Sequence, residues 1–108
     1  NKTLQINLAL NYGSKNELVD TFNLINKNKK KITVKNISNH LFTKNIPDPD
    51  LLIRTGNTRR LSNFLLWQLA YSELVFIDTL WPDFSEQDFS MALLEFEKRE
   101  RRFGAAVT

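Results

Sequence analysis

At 108 residues, with 42% apolar, 25% charged and 11% aromatic side chains, the chain has the composition of one soluble globular domain with a real core, which sets aside disordered, collagen-like and membrane-embedded classes. It holds no run of about 18 apolar residues such as a membrane span needs, no signal-peptide pattern and no cysteine for a disulfide framework, so a cytosolic protein is the default expectation. The net charge of +3 is uneven, because the stretch up to Lys44 carries eight lysines against only Glu17 and Asp20, a weak bias toward anionic partners.

Leu4, Ile6, Leu8 and Leu10 alternate with other residues and run into Asn11-Tyr12-Gly13, the pattern of a strand ending in a turn. A chain that opens inside a sheet is expected to lack an upstream portion of its domain. Leu18, Val19, Phe22, Leu24 and Ile25 fall near helical spacing, and Lys27 to Lys31 close that helix with a solvated basic end. Ile32 to Val34 is a short β-branched patch, and residues 36 to 43 read as a second short helix. Pro47 and Pro49 then enforce an extended approach into Leu51-Leu52-Ile53, an uninterrupted apolar run suited to a buried parallel strand ending at Arg54.

Residues 55 to 60 form a polar loop containing Gly56, after which Ser62 precedes Phe64, Leu65, Leu66, Trp67, Leu69 and Ala70. The spacing predicts a helix there, apolar on nearly all sides and therefore covered both by its own sheet and by a subunit partner. Leu74 to Ile77 reads as another strand and Trp81-Pro82-Asp83-Phe84 as a turn. Phe89, Leu93 and Phe96 read as the buried stripe of a final helix that begins near Ser85 and ends in Arg99, Arg101 and Arg102. Strands alternating with helices predict an α/β fold: a parallel β-sheet with flanking helices.

Chemistry concentrates between Arg54 and Asn63. A buried strand delivers Arg54 at its end, the following loop presents Arg59 and Arg60, and Ser62 opens a helix. Ligands of open α/β sheets collect beyond the carboxyl ends of strands, helix N-termini offer free N–H groups, and guanidinium forks match phosphate oxygens. A diphosphate is the ligand this arrangement suggests, although the loop is neither a Walker A sequence nor a dinucleotide fingerprint. The alternative is that Ser62 merely caps a helix while the arginines sit in solvent or pair with Asp48 or Asp50.

The strings PDPDLLIRT (47 to 55), RLSNFLLWQLAYSE (60 to 73), WPDF (81 to 84) and RERRFG (99 to 104), preceded by LALNYG (8 to 13), resemble in order and spacing the C-terminal motifs of cis-prenyltransferases of the undecaprenyl diphosphate synthase family. The resemblance covers essentially the whole chain. It implies that residues 1–108 are the C-terminal portion of that family's single domain, with the N-terminal half absent and the sheet incomplete. It also implies sequential condensation of isopentenyl diphosphate onto an allylic diphosphate such as farnesyl diphosphate, with Mg²⁺, to give long polyprenyl diphosphates.

Carried over by position, Arg54, Arg60 and Ser62 hold the diphosphate of isopentenyl diphosphate, Glu73 is a magnesium ligand, and Arg102 and Gly104 match a terminal element that contacts the diphosphate of the neighbouring subunit. The resemblance thus implies a homodimer. The family's catalytic aspartate belongs to the N-terminal half, so no catalytic residue is assigned here and this segment alone is expected to be inactive. Two departures stand out: Gly56-Asn57-Thr58 replaces a loop that usually carries a carboxylate, and Ser14-Lys15 replaces Gly-Arg. The competing reading is a catalytically incomplete homologue that binds or scaffolds a separate catalytic chain.

Glu73 lies eleven residues beyond Ser62, which on an unbroken helix is roughly 16 Å along the axis. Glu73 is therefore expected to serve the partner subunit's site. Asp48 and Asp50 are read as a structural entry to a strand, His40 as a surface residue, and Trp67 and Trp81 as core or interface anchors. Nucleic acid is not an expected partner, because the arginines gather at one loop rather than alternating with exposed aromatics. The expected location is cytoplasmic, with peripheral membrane association open for an enzyme whose product is a lipid.

Overall fold

The computed structural model describes residues 4–99, which divide into a unit running to Ile46 and a second beginning at Pro47. In the first, helix α1 (Ser14–Lys27) starts after an extended Gly13, carries Glu17 in its first turn and Lys27 in its last, and suits the helix dipole at both ends. Helix α2 (Val34–His40) packs on α1, and its Thr33 cap accepts from the Asn36 amide at 3.0 Å. This cap starts α2 two residues earlier than the sequence pattern predicts, and the extended Leu41 ends it.

The inward face of α1 is not the expected apolar one. Ser14, Glu17, Thr21 and Ile25, spaced three and four apart, are buried, while Val19, Phe22 and Leu24 are exposed. Glu17 decides this orientation. Only 1% exposed, its carboxylate accepts from the Tyr12 hydroxyl and, at 2.8 Å, from the Phe42 amide. The polar face turns inward because two other segments hang their donors on it, leaving Ile25, Ile37 and Leu41 as the buried apolar residues of this unit. The strand expected over Leu4 to Leu10 is not formed, and all four of its apolar side chains are more than three-quarters exposed. Alternation defines a strand only where a neighbour takes up its backbone groups, and none does so among the described residues.

The second unit is a two-stranded parallel sheet of β1 (Leu51–Thr55) and β2 (Glu73–Ile77), with Leu51 opposite Glu73, Arg54 opposite Phe76 and Thr55 opposite Ile77. The pairing begins at its mouth, where the Glu73 amide donates to the Asp50 carbonyl at 2.9 Å and Ser72 Oγ donates to the Pro49 carbonyl at 2.5 Å. A single 3₁₀ turn (Trp81–Asp83) then leads into helix α3 (Glu86–Lys98), which packs on β2. Ser85 and Asp88 form a reciprocal capping box, each side chain bonding the other's amide at 3.2 Å. Ala92, rather than the expected Phe89 and Leu93, is the buried contact of α3; the small side chain lets the helix come close to the sheet, and both larger residues stay exposed.

The connection from β1 to β2 departs most from expectation. Residues 62 to 71 are consecutive turns, not a helix. Ser62, Asn63 and Leu65 have φ of 52°, 65° and 47°, and a right-handed helix cannot pass through left-handed residues. The helical bonding that remains consists of single closures such as Leu69 N–H to the Leu65 carbonyl, 2.9 Å, and Ser72 N–H to the Leu69 carbonyl, 3.1 Å. Within it Gln68 and Leu69 are buried, Phe64 to Trp67 are half-buried, and Ala70 and Tyr71 are exposed. Two parallel strands joined by a long crossover, with a helix on the sheet, make the unit α/β as predicted.

Candidate functional site

Because β1 and β2 are parallel, their carboxyl ends coincide, and the loops leaving them meet. The Gly56 amide donates to the Thr79 carbonyl at 2.9 Å and the Asn57 amide to the Ile77 carbonyl at 3.4 Å, which fastens the loop after β1 to the chain leaving β2. Gly56 does this at φ 92°, a conformation that costs a residue with a Cβ far more than glycine.

Above that base Arg54 gathers the next stretch of chain. Its Nη1 donates to the Arg60 carbonyl at 2.7 Å and to Ser62 Oγ at 2.9 Å. Ser62 therefore does not cap a helix; its hydroxyl is turned to a guanidinium. Arg54, Thr55, Ser62 and Phe64 line an open groove of about 380 Å³ at this end of the strands. The Arg60 side chain is exposed and has no hydrogen-bond or ion-pair partner among the described residues. The alternative in which these arginines pair with Asp48 or Asp50 is not what the chain adopts, since Arg54 bonds a carbonyl and a hydroxyl.

Arg59, which the sequence presents beside Arg60 in the loop, is drawn into an ion pair instead. Its Nη2 lies 3.2 Å from Asp78 and its guanidinium 6.0 Å from the Phe76 ring centre, so it closes the loop against the end of β2. Only the fold, which brings the loop after β1 against the end of β2, exposes that pair. This end of β1 thus carries two cations that are not neutralised by carboxylates, Arg54 lining the groove and Arg60 exposed in the loop that follows, together with the Ser62 hydroxyl. That donor set suits a multiply charged oxyanion.

Glu73 stands elsewhere. It opens β2, and Phe76, the register partner of Arg54, lies three residues further on, so at about 3.3 Å per strand residue the two sites are separated by about 10 Å of sheet. The separation expected along an unbroken helix is replaced by one along a strand, with the same consequence that Glu73 and the Arg54 cluster occupy opposite ends. The Glu73 carboxylate is 3.5 Å from Arg99 Nη1, which also donates to the Leu74 carbonyl at 2.6 Å. Among the described residues no group of three metal-ligating side chains occurs. A single hard carboxylate nevertheless fits magnesium, which is commonly held by one or two carboxylates and completed by phosphate oxygens and water.

The remaining expectations fall as follows. Arg102 and Gly104 lie outside the described residues. Asp48 and Asp50 precede β1, and the carbonyl of Asp50 receives the first amide of β2. His40 is half-buried, its Nδ1 2.7 Å from the Asn36 carbonyl within α2. Lys27 and Lys29 to Lys31 are exposed. Trp67 is half-buried, and Trp81 is exposed and stacked on Phe84 at 5.6 Å. No described helix is long and apolar enough to cross a membrane.

Comparison with known proteins places this geometry in context. The profile of the family described as putative undecaprenyl diphosphate synthase matches residues 1–104. An isoprenyl transferase of Fusobacterium nucleatum is 50% identical over 105 residues, covering 96% of this chain and 45% of that protein. One of Thermotoga maritima is 47% identical over 105 residues, covering 93% and 45%. The crystal structure of a probable undecaprenyl diphosphate synthase from Campylobacter jejuni superposes with TM-score 0.77 at 37% identity, covering 87% of this chain and 44% of that one. That of lavandulyl diphosphate synthase from Lavandula x intermedia, in complex with dimethylallyl diphosphate, gives 0.78 at 38% identity with the same coverage. The chain spans less than half the length of the curated relatives it matches.

Proposed function

The chain belongs to the undecaprenyl diphosphate synthase family of prenyltransferases, and from that membership we propose that it supplies the isopentenyl diphosphate site of a cis-prenyltransferase. The reaction joins isopentenyl diphosphate units to an allylic diphosphate such as farnesyl diphosphate. The observation that carries the reading is the meeting of Arg54, Ser62 and the Arg60 loop at the carboxyl end of β1. Two guanidinium groups and a hydroxyl hold several phosphate oxygens at once and fix the orientation of the attached isoprenyl group. On this reading Arg102 and Gly104 contact the diphosphate held by the neighbouring subunit.

Magnesium, when bound, neutralises diphosphate charge, and Glu73 would be its protein ligand. Since Glu73 lies at the far end of the strands from Arg54, it acts in the site of a partner subunit, and the working unit is a homodimer. The allylic substrate and the catalytic carboxylate belong to a part of the enzyme beyond this chain. The protein works in the cytoplasm, at the membrane surface where a polyprenyl product collects.

The test is a calorimetric titration of the chain with isopentenyl diphosphate and magnesium, repeated with Arg60→Ala. Saturable binding that the variant loses supports the reading. A folded chain that binds nothing, or a variant that binds as well as the parent, overturns it and favours a scaffold role beside another catalytic chain.

A further inference from the structure

The guanidinium of Arg54 is divided between two tasks. Both of its hydrogen bonds leave from Nη1, one to the Arg60 carbonyl at 2.7 Å and one to Ser62 Oγ at 2.9 Å, which uses both protons on that nitrogen. Nε and Nη2 have no partner among the described residues. An arginine engages a phosphate bidentately through two N–H groups along one edge, and the edge formed by Nε and Nη2 is the one left uncommitted.

The segment that Nη1 holds is under backbone strain. Ser62, Asn63 and Leu65, none of them glycine, all sit in the left-handed region. Such residues persist only where the surroundings impose them, and they gather at binding sites and switches. The strain has a visible counterweight in the two Arg54 bonds that pin the chain on the N-terminal side of the strained stretch.

The bond to Ser62 also fixes what its hydroxyl can do. Oγ accepts from Arg54, so one lone pair is occupied and the hydroxyl proton must point away from the guanidinium. A proton held in that direction is available to an acceptor that already sits on the other edge of Arg54. Serine becomes a donor prepared for an oxyanion rather than one that must first give up a local acceptor.

We propose that Arg54 is the positioning residue of this loop: through Nη1 it holds the Arg60 carbonyl and Ser62 Oγ in the strained arrangement before ligand arrives, while Nε and Nη2 face the diphosphate. The proposal rests on the diphosphate reading above and adds an order of assembly to it. Arg54 and Ser62 then act as one unit rather than as two independent ligands. Replacing either disables most of what the other contributes.

The experiment is a double-mutant cycle on the 108-residue chain with inorganic pyrophosphate as probe, using Arg54→Lys, Ser62→Ala and both together, combined with amide hydrogen exchange without ligand. Arg54→Lys keeps the charge but gathers its donors on a single nitrogen, which cannot span both acceptors and the ligand. Each single change is expected to weaken pyrophosphate binding by about tenfold, and the double change by far less than the product of about a hundredfold. Exchange at residues 61 to 65 is expected to accelerate in Arg54→Lys while the amides of β2 and α3 keep their protection, which shows that the unit containing the loop remains folded. Additive losses, or unchanged exchange at 61 to 65, overturn the positioning role even if pyrophosphate binds. If the folded parent chain binds no pyrophosphate, the diphosphate reading falls, and the exchange comparison alone decides whether Arg54 holds the loop.

Discussion

Arg99 faces Glu73 at 3.5 Å while donating to the neighbouring Leu74 carbonyl at 2.6 Å, so one guanidinium at the C-cap of α3 ties that helix to the first residues of β2. The two contacts are unequal. The carbonyl bond is short, whereas the ion pair is long, and its side chains are 33% and 21% exposed, which admits solvent screening. Arg99→Ala should therefore destabilise the chain by about 1–2 kcal/mol, chiefly through the carbonyl left without its donor, and Glu73→Gln by less than about 1 kcal/mol. Equilibrium urea unfolding of the two variants checks the ranking. A larger loss in Glu73→Gln would show that the ion pair, not the carbonyl bond, holds the helix.

Glu17 is the more severe site, because its carboxylate is buried and serves the Tyr12 hydroxyl and the Phe42 amide together. Removing it takes the buried acceptor from a part-buried backbone amide and from a half-buried phenol at once. Glu17→Ala should cost on the order of 3 kcal/mol, and Tyr12→Phe, which removes one donor and leaves the carboxylate bonded to Phe42, about 1 kcal/mol. The double variant should cost little more than Glu17→Ala alone, since the lost bond is the same one. Thermal melts of the three variants measure this directly.

Ser85→Ala should lower stability by about 1 kcal/mol by freeing the Asp88 amide at the start of α3, and Asp88→Ala by a few tenths less, since it leaves the Ser85 hydroxyl in place. Urea midpoints with an unchanged slope would confirm that only the cap was touched.

These residues differ in how far the sequence discloses them. The start of α3 near Ser85 is legible because a serine ahead of a helical stripe is a local signal, whereas its reciprocal partner Asp88 is a finding of the structure. The run Leu51-Leu52-Ile53 between Pro49 and Arg54 is legible for a similar reason: continuous apolar side chains after two prolines suit a strand covered on both faces. Glu17 is not, because its partners lie five residues before it and twenty-five after it, and only the fold brings them together. The periodicity of Leu18, Val19 and Phe22 pointed to the wrong face of α1 for the same reason. From 62 to 70 the apolar content favoured a helix, yet Arg54 draws the Arg60 carbonyl and the Ser62 hydroxyl to itself, and the backbone takes left-handed turns instead. Within the candidate site the residue types were readable, including Arg54, Arg60 and Ser62. Their division of labour was not, because it depends on which nitrogen of one arginine reaches which oxygen.

The placement of Glu73 yields the sharpest test of the proposed subunit arrangement. Within one chain Glu73 and Arg54 mark opposite ends of β1 and β2, with Leu51 and Phe76 as their respective partners in register. If the carboxylate works in the neighbouring subunit, then Glu73→Gln and Arg60→Ala each spoil every site of a pure homodimer, but in a mixed one both changes fall in the same site. A mixed dimer would contain one site with an intact Arg60 from the first chain and an intact Glu73 from the second, and another site lacking both. Mixing the two inactive variants should therefore restore magnesium-dependent binding of isopentenyl diphosphate in a minority of sites, read as a recovered calorimetric signal of reduced stoichiometry. Should Glu73 serve its own chain, every site in the mixture lacks one group or the other, and no signal returns. Native mass spectrometry of the mixture, which resolves mixed from pure dimers by their masses, establishes that mixed dimers have formed, so that a silent titration counts against the shared site rather than against the mixing.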